Sequence, residues 1–154
     1  MKITKHFNYG EFVCKDTKRT PYPKEWTEER LRPLCEALEV LRELIKTSDD
    51  QSVRVIITSG YRTPAYNKKI GGAPRSQHVE GKAADIVCWF KNKKDEWEEI
   101  PALLIADYWL ILQREGKVPA GGLGFYRSFT HVDIRGRNAR WGPLRGKSSQ
   151  LGKK

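Results

Sequence analysis

The first clear periodicity along the chain is helical. Leu31, Leu34, Leu38, Leu41 and Ile45 recur at intervals of three and four residues, with charged residues between them. That is one apolar stripe on a helix, and it predicts an amphipathic helix over residues 28–46. Thr27 reads as its N-cap, with Glu28 and Glu29 favourably placed in the first turn. Pro33 is compatible because it lies close to the start. The pattern then shifts. Val53-Arg54-Val55-Ile56-Ile57-Thr58 is a β-branched run and predicts a buried strand. Ala84 to Phe90 predicts a second strand. Residues 95–115 place Leu104, Tyr108, Ile111 and Leu112 on one face and predict a helix, started or restarted at Pro101 and stopped by Gly116. Gly121 to Tyr126 predicts a glycine-rich strand, paired as a hairpin with Thr130 to Arg135 across Arg127-Ser128-Phe129.

The remainder is shorter structure. Asn8 to Val13 suits a helical turn, with Phe7 and Phe12 as core anchors. Residues 15–26 read as a loop marked by Pro21 and Pro23, and Ala65 to Ile70 as one or two helical turns ended by Gly71-Gly72-Ala73-Pro74. Runs of strands with helices set apart predict an α+β fold. No repeat or second domain is visible. We expect one domain over residues 1–142, followed by a loose basic tail over 143–154, where Gly, Lys and Ser abound without period.

Composition narrows the class. The chain has 154 residues, 38% of them hydrophobic, and five tryptophans, which suits a single packed core. No apolar stretch approaches the roughly 20 residues that span a bilayer. Met1 to Phe7 lacks the apolar core of a signal peptide. The expectation is a protein made in the cytoplasm, monomeric and without membrane insertion. The net charge of +10 favours an anionic partner: nucleic acid, a membrane surface or a wall polymer. The surplus is scattered, which plain solubility explains equally well. No Arg- or Lys-rich recognition helix and no aromatic-basic RNA motif is present, so no specific nucleic-acid partner is expected. The cysteines are Cys14, Cys35 and Cys88. An odd number without Cys-x-x-Cys indicates neither a disulfide framework nor a thiolate cluster. All three are expected free, and at least two buried.

The candidate chemistry lies in Ser76-Gln77-His78-Val79-Glu80-Gly81-Lys82-Ala83-Ala84-Asp85, together with His131 in Thr130-His131-Val132-Asp133-Ile134. Two imidazoles and a carboxylate can hold one zinc ion and leave a position open for water or substrate. Gly81 lets the backbone turn so that His78 and Asp85 face one point. Spacing alone leaves the alternative of ordinary surface or core histidines open.

Ser76-x-His78-x-x-Gly81-x-Ala83-x-Asp85 resembles, position for position, the motif of the D-Ala-D-Ala carboxypeptidase family of zinc peptidases, the M15 peptidases, whose fold is shared with the hedgehog signalling domain. Ser59-Gly60-Tyr61-Arg62-Thr63-Pro64, Gly71-Gly72-Ala73-Pro74, Gly121-Gly122-Leu123-Gly124-Phe125-Tyr126 and His131-Val132-Asp133 are similar to the family's small bacterial and phage branch. The resemblance implies a small, mainly antiparallel sheet carrying one zinc ion on His78, Asp85 and His131, with helices packed against it. It implies hydrolysis of peptidoglycan peptides, as a D,D-carboxypeptidase or as an endopeptidase on cross-links. It also implies that Arg62 lies near the zinc, to stabilise an oxyanion or hold a substrate carboxylate. Ser76 and Gln77 are candidates for second-layer or substrate contacts. Tyr61, Tyr126 and Trp141 are candidates to line a cleft, though aromatics at such places are commonly core.

One position departs from the family. Many relatives carry Glu or Asp three residues before the last histidine, where this chain has Ser128. Asp133 is the nearest substitute, because residues two apart on a strand share a face. It reads as the general base or as a group that orients His131. Glu80 is the next candidate. The missing acid also leaves room for a catalytically silent zinc-binding module of the same fold that binds cell wall.

Overall fold

The computed structural model describes residues 1–147. A short hairpin opens the chain, β1 (Lys2–Thr4) against β2 (Phe7–Asn8), followed by a 3-10 turn over Tyr9–Phe12. Phe7 and Phe12 are buried, as expected of anchors. The helical stripe forms α1 (Arg32–Ile45), and all five apolar positions of the stripe are buried. Its entry differs from expectation. Thr27 is not an N-cap; it is the first residue of a wide π-type turn over Thr27–Leu31 that leads into the helix. Pro33 supplies the reason: it has no N–H and its ring crowds the carbonyl four residues back, so the preceding turn opens.

Next come β3 (Val53–Ser59), α2 (Pro64–Lys69) and the long β4 (Ala83–Lys91). Residues 95–115 divide where a single helix was expected. Trp97–Ile100 is a strand, β5, and only Ala102–Arg114 is helical, α3. A tight turn explains the division. The Asn92 side chain accepts from the amides of Lys94 and Glu96 at 2.9 and 3.0 Å, and Asp95 takes a positive φ of 64°. The chain thus doubles back, and β5 pairs with β4. Cross-strand packing overrides the helical preference of the glutamates. The buried face of α3 is also rotated from the expected one. Ile105, Ala106, Trp109 and Leu112 point inward, whereas Ile111 is exposed. The chain continues through β6 (Gly122–Phe125), β7 (Thr130–Asp133) and β8 (Ala139–Trp141).

The main sheet runs β3-β4-β7-β6-β8, with β5 pairing on β4 beside β7. All pairs are antiparallel except β6 with β8. This is the α+β architecture expected, with a mainly antiparallel sheet. Alternation gives the sheet two different faces. Ala84, Ile86, Cys88, Leu123 and Val132 join the helices α1 and α3 in the core. Asp85, His131, Asp133, Gly122 and Gly124 alternate with them and take the opposite face. Cys14, Cys35 and Cys88 are free and buried. Of the expected C-terminal tail, residues 143–146 form turns, and the Leu144 amide donates to the Phe125 carbonyl at 3.1 Å. Residues 148–154 lie outside the described residues.

Candidate metal centre

The sheet register builds the site. Ser59 pairs with Asp85, Asp85 with His131, His131 with Gly124, and Gly124 with Trp141. One row of residues therefore crosses five strands on the face away from the helices. Gly124 in that row is a clearance requirement. A Cβ there would lie 2.8 Å from Tyr126 Cε2, 3.0 Å from His131 Cβ and 3.2 Å from Trp141 Nε1.

His78 arrives from the loop preceding β4. The Ser59-Gly60-Tyr61-Arg62 segment holds it, with Gly60 O 2.7 Å from His78 Nδ1 and the Arg62 amide donating to His78 O at 3.1 Å. Gly81 makes the return turn with φ of 72°, and a Cβ there would meet Trp26 and the Tyr22 hydroxyl, each at 2.8 Å. Both reasons for glycine thus apply at once.

The two imidazoles converge on one carboxylate oxygen. Asp85 Oδ1 lies 3.1 Å from His78 Nε2 and 3.0 Å from His131 Nδ1. His78, Asp85 and His131 are all buried, and one ligand atom from each lies within 4.8 Å of the others. Tetrahedral zinc with bonds of about 2.0–2.1 Å spaces its ligands roughly 3.3 Å apart, close to these separations.

The protons on the two rings decide whether a cation fits. A carbonyl only accepts, so His78 Nδ1 must donate to Gly60. Burial lowers the pKa of His78 against the opposing pull of Asp85, which favours the neutral ring. Its Nε2 then turns a lone pair toward the lone pairs of Asp85 Oδ1. His131 repeats the arrangement. Its Nε2 donates to Asp133 Oδ2 at 2.7 Å, which leaves Nδ1 toward Asp85. Burial opposes protonation of His131, but the flanking Asp133 and Asp85 outweigh it and raise its pKa in the metal-free protein. Burial likewise opposes ionisation of Asp85, and the adjoining His131 and His78 rings outweigh it, holding the carboxyl well below the usual carboxylate range. With both rings neutral, three lone pairs aim at one point, and a divalent cation that displaces the His131 proton relieves them, so this donor set fits zinc.

Around this point lies a cleft of about 540 Å³, lined by Arg62, Arg75, Ser76, Gln77, Tyr126, Phe129, Arg135 and Trp141 together with the three converging residues. Arg62 donates from Nη2 to Asp85 Oδ2 at 3.4 Å, from Nη1 to Asn67 Oδ1 at 3.2 Å and from Nε to Ser59 Oγ at 3.2 Å. Tyr126 and Phe129 stack at 4.5 Å, and Trp141 Nε1 donates to the Tyr126 hydroxyl at 2.9 Å.

Two expected site residues do not line the cleft. Tyr61 is not part of the cleft lining; its ring packs edge-on against Tyr22 and Trp26 at 6.0 and 6.1 Å, an aromatic cluster behind the motif. Asp133 shares a face with His131 as expected, but it is fully buried and does not line the cleft. Its oxygens accept from Gly122 N, Arg135 N, Arg135 Nε, Arg135 Nη2 and His131 Nε2. Burial works against its charge, yet His131 and Arg135 keep its pKa far below the ordinary value. A carboxylate so enclosed accepts from His131 and contributes no atom to the cleft lining. Glu80 is exposed and faces Arg30. Among the residues lining the cleft, Asp85 is the single carboxylate. Sequence reasoning missed Arg75, Phe129, Asn67 and Arg135. Arg135 was within reach, because residues 131, 133 and 135 continue one strand face.

A buried His-Asp-His cluster at the base of a cleft, on an antiparallel sheet backed by helices, defines a candidate mononuclear metal centre. The Peptidase M15 family model matches residues 5–133, and the chain belongs to this peptidase family. Among curated proteins none matches it.

Proposed function

We propose that this protein is a zinc-dependent peptidase acting on peptide bonds in peptidoglycan stem peptides or cross-links, as a D,D-carboxypeptidase or an endopeptidase. The observation that carries the reading is the convergence of His78 Nε2, Asp85 Oδ1 and His131 Nδ1 at the cleft floor in a chain of the M15 family. Those three residues would hold the ion. Zinc bound there would supply a Lewis acid for the scissile carbonyl and lower the pKa of water to about 7.

The chain's own residues do the rest. Gly60 and Asp133 fix the tautomers of His78 and His131. Arg62 ties Asp85 to α2 and keeps N–H groups on Nη1 and Nη2 for a developing oxyanion. Ser76 and Gln77 also line the cleft, where a substrate backbone can bond. The net charge of +10 suits an anionic wall. We read the protein as a monomer acting at the cell wall.

The lack of a second carboxylate in the cleft favours one rival, a zinc-binding module that holds wall peptides without cutting them. Incubating zinc-loaded protein with purified stem peptides and following new amine ends by mass spectrometry separates the two. Cleavage abolished by chelator and restored by zinc supports the peptidase. Full zinc occupancy with intact peptides gives the rival.

A further inference from the structure

The cleft carries more positive charge than its own carboxylates neutralise. Arg62, Arg75 and Arg135 line it, against Asp85 in the lining and Asp133 directly beneath. A divalent ion at the centre would widen the surplus. An anionic group on the substrate is the natural counterpart, and the three guanidiniums differ in their fitness to receive it.

Arg62 is committed on three sides to Ser59, Asn67 and Asp85. Arg75 stands exposed on the loop after α2, so holding it against a ligand costs rotamer freedom. Arg135 is already in place. Nε and Nη2 fork onto Asp133 at 3.0 and 2.8 Å, and the guanidinium carbon lies 5.1 Å from the centre of the Trp141 ring. Nη1 takes part in neither bond to Asp133, and the residue borders the cleft. A guanidinium held on one edge by a buried carboxylate and on one face by an indole presents its remaining donors with little ordering left to do.

Position adds direction. Along the cross-strand row, Ser59 and its partner Arg62 stand at the β3 end, and Trp141 beneath Arg135 stands at the β8 end. Asp85 and His131 lie between them. A peptide laid along this row meets one guanidinium on each side of the reacting centre.

We propose that Arg135 is a specificity-determining residue that receives a carboxylate of the substrate on the Trp141 side of the centre. The proposal rests on the peptidase reading and deepens it.

The test takes a stem peptide that the zinc-loaded protein cleaves and converts each of its carboxylates, one at a time, to the carboxamide. In the wild type, one of these changes lowers kcat/KM by about 10- to 100-fold, the scale of a lost charge-assisted hydrogen bond. In Arg135→Gln the free and amidated forms become equally good substrates, and Arg135→Lys keeps part of the preference. Comparing the two peptides within one variant cancels any general damage transmitted through Asp133 to His131. A full penalty surviving in Arg135→Gln overturns the proposal. A second arm uses wild-type protein alone and needs no turnover. The Arg135 Nε–H signal in ¹H–¹⁵N spectra should move on adding the carboxylate form of the stem peptide and stay put with its amide. Absence of that difference overturns the proposal even where the variants fold poorly. A protein that cleaves nothing yet shows the shift loses the peptidase reading and keeps the anion site.

Discussion

Replacing Asp133 by asparagine keeps the shape of the side chain while removing its charge and one of its acceptor atoms. In the native site both oxygens are taken by donors: Gly122 N at 2.7 Å, His131 Nε2 at 2.7 Å, Arg135 Nε at 3.0 Å and Arg135 Nη2 at 2.8 Å among them. With the asparagine Oδ1 kept on Gly122, the amide nitrogen faces His131 Nε2 and Arg135 Nη2, donor against donor. The relief open to His131 is to carry its proton on Nδ1 instead. That nitrogen is the one turned toward Asp85, so a metal-binding lone pair is lost. Substitutions of partners outside a metal-bound histidine typically lower affinity or activity about 10- to 100-fold, or about 1–3 kcal/mol. We expect zinc affinity, measured by competition with a chromogenic chelator, to fall by this factor. Activity at saturating zinc should recover most of the loss, and ¹⁵N spectra should report His131 protonated on Nδ1. The opposite pattern, unchanged zinc affinity with collapse of kcat, would make Asp133 a proton acceptor and refute the orienting role.

Three further outcomes follow from the packing and charges. Gly124→Ala places a Cβ against Tyr126, His131 and Trp141; urea unfolding should show a loss of about 1–3 kcal/mol, and an unchanged midpoint would refute the clearance argument. Asp85 and Asp133 have depressed pKa values in the fold, so their contribution is present above the ordinary carboxylate range and lost as pH falls through the lower folded values. The urea midpoint of metal-free protein should therefore drop below about pH 4, less steeply in Asp133→Asn, and equal slopes would count against the buried pairing. The three cysteines are buried, and burial pushes the Cys88 thiol up to about 12. Ellman's reagent at neutral pH should label none of them in the native protein and all of them in denaturant; rapid native labelling of any one contradicts the packing.

Much of this protein was determined by sequence alone, where short-range patterns suffice. The stripe from Leu31 to Ile45, the β-branched run at Val53 and the alternation around Asp85 each specify an element from its own residues. The ligand candidates were legible because His78, Gly81 and Asp85 lie within one turn and one strand start, where chain geometry limits where they can point. Other features depended on partners distant in sequence. Trp97–Ile100 became a strand because a turn at Asn92 brought it beside β4, and α3 turned its Ile105–Trp109 face inward because the sheet was there to receive it. Asp133 was legible as a neighbour of His131, but its enclosure by Gly122 and Arg135 was not. Trp141 joined the cleft only because β8 runs parallel to β6 and aligns Trp141 with Gly124. Register between strands is a pairwise property of the folded sheet, so the line from Ser59 through Asp85 and His131 to Trp141 was decided by tertiary structure.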